Sequence, residues 1–151
     1  AVLYLFFKDK DEFYKVIKFL VIGMTVFLVF STIYPNGQTL RPSTFERDNI
    51  FVDLVKGLYK ADTPTNIFPS IHVYNTVGVF IALRASKHLQ GKTWIQIGNL
   101  IMTVSIILST VFLKQHSILD MLGAFIIAAP AYYVSYVRCS VKAHVLQKAH
   151  I

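Results

Sequence analysis

Two histidines stand in short polar segments whose residue types suit phosphoryl transfer. His72 ends the segment FPSIH at 68–72, and His116 precedes Asp120 by four residues. On a helix that spacing brings the carboxylate close enough to accept the proton on Nδ1 of His116. The bond would fix the tautomer, leave Nε2 free to attack phosphorus and stabilise the cation that forms. A histidine at a membrane interface beside a helix-start aspartate would show the same spacing, so the pair alone leaves both interpretations open.

The residues before His72 predict the start of a helix, with Ser70 as its cap. The backbone N–H groups of Ser70, Ile71 and His72 would then lack intrahelical partners, which makes this helix end a place for phosphate. The imidazole beside it could protonate a leaving alkoxide. We expect Asn75 and Thr76, one turn further on, to line the same cavity. A capping or interface role for His72 is the alternative.

Three further residues near these segments could bind phosphate oxygens. Arg41, followed by Pro42, offers a planar guanidinium group. Ser109 lies seven residues before His116, and Lys114 lies two residues before it. Each residue type is also common near a membrane surface, and it is their occurrence together that favours a phosphate site.

The composition predicts a membrane protein. The chain has 151 residues, 54% of them hydrophobic, and its apolar residues form long uncharged runs. Such runs are typical of several membrane spans rather than of an unusually apolar soluble bundle. The predicted spans cover residues 13–34, 70–85, 93–113 and 116–136, and Pro130 predicts a kink in the last. We therefore predict an all-α fold, a polytopic membrane helical bundle with four transmembrane helices in a single domain, 1–151.

A polar stretch separates the first two predicted spans. Apolar residues on one helical face mark an amphipathic segment within it: Phe51, Leu54, Val55, Leu58 and Tyr59. This pattern is typical of a helix lying on the membrane surface, and a loop helix packed over the bundle is the alternative.

At the other end of the first span, the apolar run 1–7 lacks the features of a signal peptide. We expect it to be the tail of an earlier span, so that the chain is truncated at its N-terminus.

The basic residues predict the orientation in the membrane. The formal net charge is +7, but the positive charges cluster at the ends of apolar runs, which fits contact with anionic lipid rather than nucleic acid. Ten lie on one predicted side and five on the other. The first set is Lys8, Lys10, Lys15, Lys18, Arg84, Lys87, Lys92, Arg138, Lys142 and Lys148; the second is Arg41, Arg47, Lys56, Lys60 and Lys114. This excess predicts a cytoplasmic N-terminus, with both histidines on the extracytoplasmic side.

The single cysteine, Cys139, excludes an intrachain disulfide.

Three of these segments, in order, resemble the signatures of the type 2 phosphatidic acid phosphatase (PAP2) superfamily. The family signatures are a Lys…Arg-Pro segment, Pro-Ser-Gly-His, and Ser-Arg-x5-His-x3-Asp. The chain has Arg-Pro at 41–42, PSIH at 69–72 and Ser-Thr-x5-His-x3-Asp at 109–120. The resemblance covers roughly residues 13–137 and implies a PAP2/haloperoxidase-like helical core.

The resemblance also implies a role for each site residue. His116 would be the nucleophile that forms a phosphohistidine, Asp120 its orienting partner and His72 the general acid. Phosphate oxygens would be held by Arg41, Ser70, Ser109 and the Ile71 amide. No metal or other cofactor would be required.

Three positions depart from the family pattern. Tyr34 stands where the first signature has lysine, Ile71 where the second has glycine, and Thr110 where the third has arginine. The last change removes a phosphate ligand, and we predict that Lys114 compensates for the lost charge. The combination of FPSIH with Ser-Thr-x5-His-x3-Asp also resembles the inositolphosphotransferase branch, in which an alcohol rather than water accepts the phosphoryl group.

The leading prediction is thus an integral membrane lipid phosphatase acting on phosphatidic acid or an isoprenyl pyrophosphate, most simply in the plasma membrane. Its partners would be the phospholipid or isoprenoid phosphate substrate and the lipid bilayer, with no nucleic acid. A phosphotransferase of the inositol phosphorylceramide synthase type would use the same residues. Two other classes stay open: an inactive PAP2-like scaffold, and a membrane haem binder with His72 and His116 as axial ligands.

Overall fold

The computed structural model describes residues 1–138, and these are helical with connecting loops. The helices are α1 (Val2–Lys8), α2 (Lys10–Ile33), α3 (Ile50–Ala61), α4 (Ile71–Ala85), α5 (Thr93–Phe112) and α6 (Ile118–Tyr132), and α6 continues as a π-helical turn, Tyr133–Val137. In this part of the chain the only β-type pairing is an isolated bridge between Gly37 and Thr65. The all-α prediction is confirmed. Cys139, Lys142 and Lys148 lie outside the described residues.

Three helical segments are long and apolar enough to cross a membrane: Lys10–Ile33, Thr93–Phe112 and Ile118–Val137. The predicted second span is α4, which is apolar but has only 15 residues. At 1.5 Å per residue it measures roughly 22 Å, less than the hydrocarbon thickness of a bilayer of about 30 Å. These lengths and the many exposed apolar side chains on the helices fit a membrane-embedded bundle.

Pro130 lies inside α6, and the helix continues past it. The hydrogen-bonding pattern changes three residues later, where the Tyr133 N–H lies within reach of both the Ala129 and the Pro130 carbonyl oxygens. Proline lacks an N–H donor, so a local shift in the helical ladder beside it is expected. A π-helical turn thus follows Pro130, while the kink at Pro130 stays a prediction.

Helix α4 packs against α2, α5 and α6, most extensively against α2 and α5. Tyr74 stacks on Phe19 with ring centroids 4.5 Å apart, and its hydroxyl donates to the Phe19 carbonyl at 2.7 Å. Gly23 leaves the space that the Tyr74 ring fills, and a Cβ at Gly78 would lie 2.6 Å from Phe19. Both glycines permit the close approach of the two helices, which fixes the position of the helix that carries His72.

The ends of the bundle separate the basic loops from the histidines. Asp9 caps α2, and its carboxylate also accepts from the Ser86 hydroxyl at 2.9 Å and the Lys87 N–H at 3.2 Å. The start of α2 and the end of α4 therefore lie at one end of the bundle. Since His72 is at the start of α4, it lies at the other end.

The amphipathic segment forms helix α3, which has no buried residue. Phe51 and Leu54 are 74% and 65% exposed. Asn49 caps the helix by accepting from the Val52 N–H, and Tyr59 donates its hydroxyl hydrogen to the Leu113 carbonyl at 2.9 Å. The part of the apolar face formed by Phe51 and Leu54 is thus exposed, and the helix is tied at Tyr59 to the loop that precedes His116.

Candidate active site

The rings of His72 and His116 lie side by side at the same end of the bundle. Their centroids are 5.5 Å apart and their planes are inclined by 65°. His116 is buried, with 8% of its surface exposed, whereas His72 is exposed. Both line a cavity of about 290 Å³. The other lining residues are Phe27, Asp62, Thr63, Thr65, Asn66, Ile67, Ile71 and Gln115.

The first turn of α4 positions His72. Ser70 caps the helix, as predicted, by accepting from the Val73 N–H at 3.4 Å. The Ser70 N–H donates to the Asp120 carbonyl at 3.1 Å, which joins this turn directly to α6. Ser70 is fully buried, whereas Ile71 lines the cavity. The N–H groups of Ile71 and His72 have no intrahelical partners, because they belong to the first turn.

A turn between α5 and α6 positions His116. The Thr110 carbonyl accepts from the N–H groups of both Gln115 and His116 at 3.0 Å. Lys114 has a φ of 50°, the left-handed conformation that commonly ends a helix. His116 therefore lies before α6, which begins at Ile118, and not within a helix as the spacing predicted.

The relation between Asp120 and His116 differs from the predicted hydrogen bond. Asp120 Oδ2 lies 3.9 Å from His116 Nδ1, too far for a hydrogen bond. The same oxygen accepts from the Ser117 N–H at 2.6 Å, and the Ser117 hydroxyl accepts from the Asp120 N–H at 3.2 Å. This reciprocal pair is a capping box that starts α6. It holds the carboxylate beside His116 Nδ1, which is buried and has no hydrogen-bond partner.

Burial lowers the pKa of His116 below the ordinary value for histidine, and the neighbouring His72 ring lowers it further. The carboxylates of Asp120 and Asp62 act in the opposite direction, with a smaller effect, as does the Ile67 backbone. The net result favours the neutral imidazole. A neutral ring is the form that can act as a nucleophile.

Arg41 does not line the cavity; it is paired with Asp62, which does. Its Nη2 lies 2.9 Å from Asp62 Oδ2, and Nη1 donates to the Asp62 carbonyl and, at 3.3 Å, to the Tyr59 carbonyl. The guanidinium also lies over the Tyr59 ring, 4.7 Å from its centroid. The Asp62 side chain therefore lies between Arg41, the predicted phosphate ligand, and the cavity.

The remaining predicted polar residues also lie outside the cavity lining. Ser109 donates its hydroxyl hydrogen to the Ile106 carbonyl at 2.8 Å, and Lys114 is exposed. Asn75 and Thr76 were expected in the same cavity but line a separate cleft of about 430 Å³ between α4 and α5. The lining of the histidine cavity includes residues of the loop 62–67 and, on α4, only Ile71 and His72.

Sequence reasoning missed four residues that build the site: Asn36, Gln38, Asp62 and Gln115. Asn36 Oδ1 accepts from the N–H groups of Ile67 and Phe68, both at 2.8 Å. Gln38 donates to the Lys114 carbonyl at 3.0 Å and Gln115 donates to Asp62 Oδ2 at 3.1 Å. The signal in the sequence for Asp62 was the polar run 62–66, just before the first histidine segment. Within residues 1–138, no group of three His, Cys, Asp or Glu side chains is arranged to hold a metal ion.

The comparison with protein families matches the segments that form this site. Residues 37–142 match the model of the PAP2 superfamily, which includes Arg41 and both histidine segments. The chain belongs to the PAP2 superfamily. PAP2 proteins are generally phosphatases or phosphotransferases, and the match does not specify the inositolphosphotransferase branch. No curated protein and no solved structure gives a significant match.

Proposed function

We propose that this PAP2 protein is an integral membrane lipid phosphatase that hydrolyses a phosphomonoester or pyrophosphate through a phosphohistidine on His116. The substrate would be of the phosphatidic acid or isoprenyl pyrophosphate type. The observation that carries the proposal is the pair of imidazoles 5.5 Å apart across a cavity at the start of α4. One ring is buried and has a lowered pKa, and the other is exposed in the first turn of α4, where backbone N–H groups lack intrahelical partners.

In the first step His116 attacks phosphorus. Nδ1 points to Asp120 at 3.9 Å, which leaves Nε2 as the attacking nitrogen. The bond between phosphorus and the lipid oxygen breaks as the P–N bond forms, and His72 in its protonated form donates a proton to the leaving oxygen. A small movement of Asp120 would complete its bond to Nδ1 and stabilise the positive charge on His116.

In the second step water replaces the histidine. His72, now neutral, removes a proton from water as the oxygen attacks the phosphohistidine. The P–N bond breaks, phosphate leaves and His116 is restored. The N–H groups of Ile71 and His72 would hold the phosphate oxygens throughout, since they occupy the positive end of α4.

The other predicted ligands require movement. Arg41 would reach phosphate only by leaving Asp62 or by acting through it. Ser70 would contribute through its position in the turn, since its side chain is buried and already caps α4. Ser109 would contribute after a rotation of its hydroxyl group away from Ile106, and Lys114 as a nearby charge.

The proposed site faces the extracytoplasmic side of the membrane, and the plasma membrane is the proposed location. Support comes from the two ends of the bundle. The end joined by Asp9 and Ser86 carries most of the basic residues, which favours the cytoplasmic side. The histidine pair lies at the opposite end.

The test is turnover by the purified protein in lipid nanodiscs. Phosphatidic acid or isoprenyl pyrophosphate labelled with ³²P should release free phosphate, and acid-labile label should be trapped on the protein after rapid quenching in base. His116→Gln should abolish both signals. His88→Gln, an exposed histidine between α4 and α5 at the opposite end of the bundle, is the matched control and should leave both unchanged.

The same assay separates hydrolysis from transfer. Inositol or another alcohol, added to the reaction, should not divert the label if water is the acceptor. Label recovered in the alcohol at the expense of free phosphate would instead establish a phosphotransferase. Substrate binding without turnover on any of these lipids would establish an inactive scaffold.

A further inference from the structure

Asp62 is a carboxylate inside the cavity that the proposed reaction does not yet use. It lies directly after α3, lines the cavity with His72 and His116, and its side chain is 42% exposed. A negative charge beside a phosphate site disfavours the binding of an anion unless a positive or hydrogen-bonding group compensates for it. Asp62 has two partners, which approach it from different parts of the chain.

Both partners bind the same oxygen of Asp62. Oδ2 accepts from Arg41 Nη2 at 2.9 Å and from Gln115 Nε2 at 3.1 Å. Arg41 belongs to the connection between α2 and α3, whereas Gln115 directly precedes His116. The carboxylate therefore links the segment that contains Arg41 to the turn that positions His116.

The arginine is held in place by more than this ion pair. Its guanidinium donates to the carbonyl oxygens of Tyr59 and Asp62 and lies over the Tyr59 ring. Only 11% of its side chain is exposed. The ion pair therefore places the Asp62 carboxylate, and not the arginine, in the cavity lining.

Resting on the function proposed above, we infer that Asp62 is a positioning residue of the phosphoryl-transfer site. Its carboxylate fixes the Arg41 segment and the His116 turn on either side of the cavity, and it presents a negative charge to the histidine pair. The first role depends on an acceptor oxygen at residue 62, the second on the charge.

The charge can be tested because the groups around His116 are few. Within the described residues, His72 faces it from α4, Asp120 from α6, and Asp62, paired with Arg41, from the loop before α4. Lys114, two residues before His116, is exposed and its side chain lies outside the cavity lining. The two carboxylates hold the pKa of His116 above the value that burial and His72 alone would give. Removing one of them should lower that pKa further.

Asp62→Asn keeps an acceptor oxygen for Arg41 and Gln115 but removes the charge. In protein with ¹³C-labelled histidine, the His116 signal, assigned by its loss in His116→Gln, should titrate at a lower pH than in the unchanged protein. The acidic limb of the kcat/KM profile should move to lower pH by the same amount, because neutral His116 then persists at lower pH. Asp62→Glu, which restores the charge, should return both measurements toward those of the unchanged protein.

Asp53→Asn is the matched control, because it removes an exposed carboxylate from α3 that pairs with Lys56 outside the cavity. It should shift neither measurement. An identical His116 titration in Asp62→Asn and Asp53→Asn would overturn the inference. Since the titration needs no turnover, a protein without phosphatase activity would refute the proposed function and leave this test intact.

The Gln115→Met variant tests the positioning role of Asp62. It can be used even if the Asp62→Asn variant does not fold. It breaks the link to Asp62 while both charges stay in place. We expect kcat/KM to fall about threefold to tenfold, with the His116 titration unchanged. Unchanged kinetics would overturn the positioning role.

Discussion

The two histidines of the site are held in different ways. His72 stands in the first turn of a helix, is exposed, and owes its position to the cap by Ser70 and to the packing of α4 against α2. His116 is buried in an irregular turn and depends on contacts from several segments, among them those made by Gln38 and Tyr59 to neighbouring carbonyl groups.

This difference in exposure indicates which ring suits proton transfer and which suits nucleophilic attack. An exposed imidazole at a helix start can exchange protons with solvent between steps, as a general acid and base must. A buried imidazole, held neutral and beside a carboxylate, suits repeated attack on phosphorus. We therefore expect the two rings to respond differently to mutation, to leaving group and to pH.

The largest effects should come from the histidines themselves. His116→Gln should reduce turnover by at least about three orders of magnitude on every substrate, because no nucleophile remains. His72→Gln should cost about 100-fold on a lipid substrate, whose alkoxide needs a proton, but much less on p-nitrophenyl phosphate, whose leaving group does not. Steady-state rates on the two substrates measure this contrast. Equal losses for His72→Gln on both would show that His72 is not the acid.

The Asp120→Asn substitution should have the next largest effect on turnover. The amide oxygen can still accept from the Ser117 N–H, so the capping box is retained, but the charge that stabilises the His116 cation is lost. We expect kcat to fall about 100-fold or more, measured at saturating substrate. Ser117→Ala is the control for the cap; it should cost about 1 kcal/mol of stability and change kcat little. A larger effect on kcat from Ser117→Ala than from Asp120→Asn would make Asp120 structural.

The helices could be predicted from the sequence, because long apolar runs ended by polar residues leave few alternatives. The cap at Ser70 followed from its position before such a run, and α3 followed from its apolar periodicity. That His72 and His116 share one end of the bundle followed from the alternation of spans. These features depend on neighbouring residues and on the period of the helix.

The contacts inside the site could not be predicted in the same way. The pairing of Arg41 with Asp62 and the acceptor role of Asn36 depend on loop conformations that bring distant residues together. The spacing of His116 and Asp120 suggested a helix through both, but the turn ending α5 extends to His116 and α6 starts after it. Spacing alone does not distinguish a helix from a turn followed by a helix.

Asn36 offers a test of how strongly the loop before His72 depends on distant contacts. Asn36→Ala should lower the free energy of unfolding by about 2 kcal/mol, since the N–H groups of Ile67 and Phe68 lose their acceptor. Asn36→Asp keeps that acceptor and loses the amide donor to the Tyr34 and Phe68 carbonyl oxygens, which bond at 3.2 and 3.3 Å, so it should cost less. Thermal unfolding in detergent gives both values. Equal losses of unfolding free energy in the two variants would show that the Oδ1 acceptor contributes no more to stability than the Nδ2 donor.

Stability should depend on pH through His116. Its pKa in the folded protein lies below the ordinary value of 6.5, so the unfolded chain binds a proton that the folded protein takes up less readily. The contribution of His116 to stability is therefore full well above pH 6.5 and falls as the pH drops below that value, by about 1.4 kcal/mol per pH unit at most. His116→Gln should remove this part of the dependence. A pH dependence unchanged by His116→Gln would contradict the shifted pKa.

The smallest effect should come from Lys114. Lys114→Ala should raise KM for an anionic substrate by about twofold, since the side chain is exposed and acts only through solvent. Lys114→Gly should have the same effect on KM but stabilise the protein by about 0.5 to 1 kcal/mol, because φ is 50° at this position. An unchanged KM in both variants would refute the predicted compensation for the arginine absent at Thr110.

The hydrogen bond from the Ser70 N–H to the Asp120 carbonyl joins segments that leave the ribosome at different times. The Ser70 cap and the helix that carries His72 are synthesised well before α6, and the Ser70 N–H has no partner until α6 has been made and inserted. The cavity that His72 and His116 line is therefore completed only after α6 has been synthesised. A nascent chain released before α6 should insert its earlier helices and yet hold no phosphate.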